Sequence, residues 1–248
     1  MNEAAYEMVT DGVLKIANNK KGPTCIEYDG ILYYRFMDYF YTQTENLDEL
    51  SPEGVSNLCR ARAKFPLLIS PINISVRLLF KALAQKIRPT TLLEIGAGRD
   101  PVFEAETLNG MHYVLSDADR DVVTAHSVLD TECYTFSEQV CELPIKESYF
   151  EMVIAVFVLH FPFHKIQMLE LHRRLKPSGV IVANVYRRSI EARNKLTLEM
   201  EDSGFKILKI KDTKNLCRDH EYWILGKSDA QMQYCALTLK ELIEDQKL

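Results

Sequence analysis

The chain has 248 residues, with 30 Lys and Arg against 35 Asp and Glu, for a formal net charge of −5. That balance lacks the cationic excess that phosphate neutralisation demands and argues against a nucleic-acid partner. The six cysteines form no C-x-x-C pair, which leaves no signal for a zinc site or a redox dithiol. The first residues carry no signal-peptide pattern, and the longest apolar run, 152–163, is too short to cross a bilayer, so the chain reads as cytoplasmic and free of the membrane.

In chain order, residues 1–88 read as a helical cap with polar breaks and many aromatics. Tyr28, Tyr33, Tyr34, Tyr39 and Tyr41 crowd a short span there. Residues 71–88 open on Pro71 and space their apolar side chains as a helix does, so this helix should pack on the sheet that follows.

From about residue 90 the pattern changes. Short apolar runs at 91–95, 112–116, 133–136, 151–159 and 179–185 predict strands. Helical spacing fills the intervals at 101–108, 119–129, 162–175 and 189–203. Lys176, Pro177, Ser178 and Gly179 should stop one helix and open the next strand, and Gly204 should end another helix. Residues 205–211 and 221–227 read as two strands whose connection is too short for a crossover helix, hence an antiparallel hairpin. The expected fold is α/β: a doubly wound, mostly parallel seven-stranded sheet over 89–228 with a terminal antiparallel hairpin. Residues 229–248 should add an amphipathic C-terminal helix, which can pack on its own domain or pair with a second copy as a homodimer.

The segment Glu94, Ile95, Gly96, Ala97, Gly98 ends a strand in a G-x-G turn and should lead into a helix. A dinucleotide fingerprint would need a further glycine where Pro101 stands. Glu94 suits either a ligand carrying an ammonium group or a turn that needs anchoring. Asp117 closes the next strand, where a carboxylate can hold ribose hydroxyls. Asp119 reads as the cap of the following helix.

Together, EIGAG at 94–98, LSDADRDVV at 115–123, ELPIKESYFEMVIAVFVLHF at 142–161 and LKPSGVIVANV at 175–185 resemble the class I S-adenosylmethionine-dependent methyltransferases. The resemblance runs over roughly residues 75–227. It implies S-adenosylmethionine as cofactor, with Gly96, Ala97 and Gly98 under its methionine part and Glu94 near the amino group. It further implies Asp117 at the ribose, Ala118 along the adenine, Gln139 and Val140 at the adenine edge, and Val156 near the methionine chain. Two positions depart from the family pattern: Asp100 replaces a frequent glycine, and Gln139 replaces the usual acid, for which Glu138 is the neighbouring alternative.

The methyl acceptor should meet residues that follow the fourth and fifth strands: His160, Phe161, His164, Tyr186 and Arg187. His160 is the candidate proton acceptor, with a packing histidine as the alternative. Tyr33, Tyr34 and Tyr41 are candidates to wall the acceptor pocket, unless they simply build a core of their own. The acidic charge and the aromatic cap favour a small-molecule acceptor methylated on oxygen or nitrogen. A protein or RNA acceptor and a non-catalytic cofactor-binding module are the alternatives.

Overall fold

The computed structural model describes residues 6–17, 22–36, 39–65, 68, 71–104, 110–129, 131–212 and 220–245. The chain divides into two compact units, Met1–Ser70 and Pro71–Leu248.

The first unit overturns the helical expectation over most of its length. Strands β1 (Tyr6–Thr10), β2 (Val13–Ile16), β3 (Cys25–Tyr28), β4 (Ile31–Phe36) and β5 (Phe40–Thr42) form an antiparallel sheet in the order β1-β2-β5-β4-β3. Helix α1 (Pro52–Ala63) follows, capped by the Ser51 hydroxyl, which accepts from the Gly54 amide at 3.1 Å. The physical signal for strands was the turn chemistry. Asp29 and Gly30 have φ of 52° and 75°, the paired left-handed conformation that joins strands in a tight hairpin. Asp11 and Gly12 lie between β1 and β2, where Gly12 takes the left-handed φ, 69°. The aromatic residues, which suit a half-buried pleated surface, pack inside the sheet: Tyr33 and Tyr41 are fully buried with Leu14, Ile16 and Ile26.

The second unit follows the sequence closely. It contains α2 (Pro71–Ile87), β6 (Thr91–Ile95), β7 (His112–Asp117), α3 (Arg120–Val128), β8 (Cys133–Thr135), β9 (Phe150–Ala155), α4 (Lys165–Arg174), β10 (Leu175–Val185), α5 (Ile190–Asp202), β11 (Lys206–Lys211), β12 (Glu221–Gly226) and α6 (Asp229–Asp245). Seven strands lie in the order β11-β12-β10-β9-β6-β7-β8, parallel except for β12, which is antiparallel to both β10 and β11. Every residue of β6 is buried, as a central strand covered on both faces requires. On one face Val76, Phe80 and Leu83 of α2 and Leu239 and Ile243 of α6 pack with Leu92, Met152, Ile154 and Val182. On the other, Met168 and Leu171 of α4 and Leu196 and Met200 of α5 pack with Leu93, Val153, Ile181 and Trp223. Helix α6 thus packs within its own unit.

Three local departures have identifiable causes. The run 151–159 stops as a strand at Ala155, because the chain turns away through Phe157 at φ 60°. Strand β10 begins earlier than expected, and residues 176–179 bulge out between the pairs Leu175↔Phe150 and Val180↔Met152. A Cβ on Gly179 would come within 2.8 Å of the Phe150 carbonyl, so only glycine passes there. Of the helix expected over 101–108, residues 101–104 are irregular and 105–109 lie outside the described residues.

Trp223 is fully buried at the centre of the second core and carries Lys209 Nζ 4.4 Å from its ring centroid. Trp223→Ala should lower the unfolding free energy by about 3–5 kcal/mol, the usual cost of emptying so large a site. Urea denaturation followed by far-UV circular dichroism measures it.

Candidate functional site

Strands β6 and β9 are neighbours, yet their connections lead to opposite halves of the sheet, from β6 to β7 and from β9 to β10. Their C-terminal ends diverge into a crevice, the place where open α/β sheets receive ligands. The glycine loop leaves β6 at this crevice. Gly96 and Gly98 have φ of 65° and 63°, a backbone that side chains resist. A Cβ on Gly96 would come within 2.6 Å of Val158 Cγ2, so the loop lies directly on the turn that follows β9. Around Gly98 nothing among the described residues stands within 4 Å of the Cβ position, which leaves open space there.

The loop's amides have partners inside the protein. Ala97 donates to the Ser116 carbonyl at 3.1 Å, Gly98 to Asp117 Oδ2 at 2.9 Å and Val102 to Glu94 Oε2 at 2.9 Å. A pyrophosphate-binding loop needs such amides turned toward the ligand. This one directs the amides of Ala97, Gly98 and Val102 to carboxyl groups and a carbonyl, which leaves those three turned away from an anionic ligand.

Glu94 is buried under the loop and also accepts the Tyr113 hydroxyl. Of its two expected roles, the anchored turn is the one these bonds describe. Burial pushes its carboxyl up to about 7, although the Tyr113 and Val102 donors pull the other way. Asp117 is half-buried at the tip of β7. Its Oδ1 accepts from the Asp119 amide at 2.9 Å, so each oxygen takes one backbone N–H and keeps a lone pair for a ligand hydroxyl. Burial raises its pKa, and the two amide donors oppose the rise. Asp119 caps α3 as expected, accepting from the Asp121 amide at 2.9 Å.

A model of the methyltransferase domain family matches residues 93–183, from the middle of β6 to β10. Over that stretch the chain is similar to the methyltransferase domain family. Among solved structures, a TehB-like methyltransferase from Corynebacterium glutamicum has a TM-score of 0.53 at 14% identity over 72% of this chain and 100% of that one. The CurJ carbon methyltransferase has a TM-score of 0.52 at 16% identity, over 73% of this chain and 62% of that one. The CMeT domain of the citrinin polyketide synthase has a TM-score of 0.51 at 15% identity, over 72% of this chain and 57% of that one. This chain therefore spans under two thirds of the length of the latter two, and at such identities the likeness is one of fold. No curated protein sequence matches the chain.

S-adenosylmethionine is the cofactor of the class that the matched segment resembles, and the residues at the loop fit it: open space over Gly98 among the described residues, a half-buried carboxylate at Asp117, and amides of Ala97, Gly98 and Val102 that are turned inward. Of the other cofactor candidates, Ala97 and Val156 are buried, Ala118 and Gln139 are exposed and Val140 is 37% exposed. Residues 137–140 form a turn closed by the Ser137 amide donating to the Val140 carbonyl at 2.9 Å. That turn adjoins Asp117 because the Phe136 amide donates to the Asp117 carbonyl at 2.8 Å. Glu138 faces His164 Nδ1 at 3.4 Å.

The acceptor candidates separate into groups. His160 is buried between Phe161, at 4.0 Å between ring centroids, and Tyr186, at 4.8 Å. His164 instead caps α4, where its amide donates to Gln167 Oε1 at 3.1 Å. Arg187 is exposed with φ 51° in the turn after β10. Tyr33 and Tyr41 are fully buried in the core of the first unit, and the Tyr41 hydroxyl donates to the Pro23 carbonyl at 3.1 Å. Tyr34 is half-buried on β4, paired with Cys25 and Thr42.

Four residues escaped the sequence reading. Phe157 and His220 join the ring cluster, each packed on Tyr186 at 5.4 and 4.6 Å. Asn184 is fully buried, and its Oδ1 accepts the Phe157 amide at 2.7 Å, holding the left-handed turn after β9. The signal for Asn184 was a lone polar residue in the apolar run 179–185. His126 bonds the glycine loop from α3, and nothing in its helical context marked it.

The raised Glu94 pKa gives a stability signature. A carboxyl whose folded pKa of about 7 exceeds its ordinary 4.5 binds protons more readily in the folded chain. Its contribution is full below pH 4.5 and is lost as the pH rises through 7. Glu94→Gln should abolish this part of the profile, so that its unfolding free energy gains on wild type between those pH values. Urea titrations at stepped pH check it.

Proposed function

We propose that the protein transfers a methyl group from S-adenosylmethionine to a small-molecule acceptor held at the C-terminal ends of β9 and β10. The observation that carries this reading is the ring cluster of Phe157, His160, Phe161, Tyr186 and His220, which begins one residue from Val158, the side chain that meets Gly96. The cofactor supplies an activated methyl on a sulfonium, so the protein's task is to align two reactants and keep water out. Aromatic faces favour a cationic neighbour and exclude water. In this reading Asp117 accepts the ribose hydroxyls, and the turn at 137–140 borders the adenine beside it. The Asn184 amide fixes Phe157 and so sets the floor on which the acceptor rests. His160 takes the acceptor's proton from inside the ring cluster, where its imidazole is shielded from bulk water. The net charge of −5 favours a small acceptor over RNA.

Calorimetric titration with S-adenosylhomocysteine should give micromolar binding, weakened about 10- to 100-fold in Asp117→Ala by the loss of a charged acceptor. Incubation with methyl-labelled S-adenosylmethionine and a cell extract, separated into metabolite, protein and RNA pools, should place the label among metabolites. Label confined to protein or RNA would sink the acceptor class. Binding with no transfer to any pool would reduce the protein to a cofactor-binding module. Once an acceptor is known, His160→Ala should lower kcat about 100-fold or more while leaving cofactor affinity within about twofold, the mark of lost proton transfer.

A further inference from the structure

The second glycine of the cofactor loop is held differently from the first. Gly96 is wedged against Val158, whereas Gly98 has no packing neighbour among the described residues within 4 Å of its Cβ position. Residues 101–104, just beyond the loop, are irregular. Gly98 nevertheless keeps a left-handed φ of 63°. What fixes it is a pair of hydrogen bonds from opposite sides. Its amide donates to Asp117 Oδ2 at 2.9 Å, and its carbonyl lies 2.7 Å from His126 Nε2. His126 stands in the last turn of α3 and is 5% exposed.

We infer that His126 is a positioning residue for the cofactor loop, holding the Gly98 carbonyl so that the loop keeps its binding conformation. A carbonyl oxygen can only accept, so the His126 proton resides on Nε2. The bond acts at the peptide group next to the one that Asp117 holds. Both peptide groups of Gly98 are thereby oriented from β7 and α3, and the Asp117 carboxylate is kept in the pose that leaves a lone pair for ribose. The bond matters for binding more than for folding: α3 has its own cap at Asp119, while Gly98 has no other support among the described residues. The inference rests on the reading of 96–98 as the cofactor loop.

The test compares two variants of opposite character. His126→Leu keeps the bulk and loses the donor. His126→Gln keeps a side-chain N–H within reach of the carbonyl. Calorimetry with S-adenosylhomocysteine should show affinity about tenfold weaker in His126→Leu, the effect of one buried hydrogen bond. His126→Gln should recover to within about threefold of wild type, and thermal melting of the two variants should coincide. Equal affinity in wild type and His126→Leu would overturn the inference, and so would equal loss in both variants, which would assign His126 to packing alone. Imidazole 15N shifts of the unliganded wild type add a readout that needs no variant: an Nδ1–H tautomer would also overturn it. A wild type that binds no S-adenosylhomocysteine, yet shows the Nε2–H tautomer, would bring down the cofactor reading while leaving the bond itself intact.

Discussion

The second unit is organised around the bonds between Asp117 and the glycine loop. Asp117 ends β7, and its carboxylate reaches across to the Gly98 amide beyond β6 while also taking the Asp119 amide at the head of α3. One side chain thus ties a strand end, a loop and a helix start. The neighbouring backbone continues the pattern, with Ala97 bonded to Ser116 and Phe136 to Asp117 itself. Strands β6, β7 and β8 therefore have their upper ends locked in sequence. Two carboxyl groups, Glu94 and Asp117, engage amides of the loop, so those amides point to protein acceptors and not outward to an anion. A cofactor that carries a pyrophosphate is not suited to such a loop.

The parallel sheet and its helices were readable because their signals are redundant. Buried central strands appear as unbroken apolar runs, helices as 3.6-residue spacing, and the two alternate with glycine and proline between them. The hairpin of β11 and β12 was readable from the brevity of its connection. The first unit was not readable in the same way. Its strands are short and their burial does not follow hydrophobicity. In β4 the aliphatic Ile31 and Leu32 are exposed, while the side chain buried beside them is Tyr33. Composition suggested helices, and the decisive clues were local, the Asp-Gly pairs at 11–12 and 29–30. Turn chemistry of that kind outweighs composition because it fixes the backbone directly.

The glycine turn at 96–98 was legible, because glycine spacing after a strand reports a backbone constraint that few other structures impose. The residues after β9 and β10 were legible only as a neighbourhood. His160, Phe161 and Tyr186 do converge, yet His164 is drawn away to cap α4. A histidine four residues from another can face the same way on a helix, but here Pro162 and the cap of α4 intervene. Asn184, Phe157 and His220 act through tertiary proximity, which no periodicity encodes.

The terminal hairpin has a consequence for how the protein behaves in a crowded solution. It places β11 at one margin of the sheet, where backbone groups lie open to pairing with another chain. Lys206, Lys209 and Lys211 are all exposed on that strand. Lys206 pairs with Asp229 at 2.5 Å, and Lys209 donates to Thr197 at 2.7 Å. The opposite margin, β8, is only three residues long. A cationic strand at one border and a stub at the other give the sheet little on which a second sheet could grow, so the same hairpin that completes the fold also guards it against aggregation.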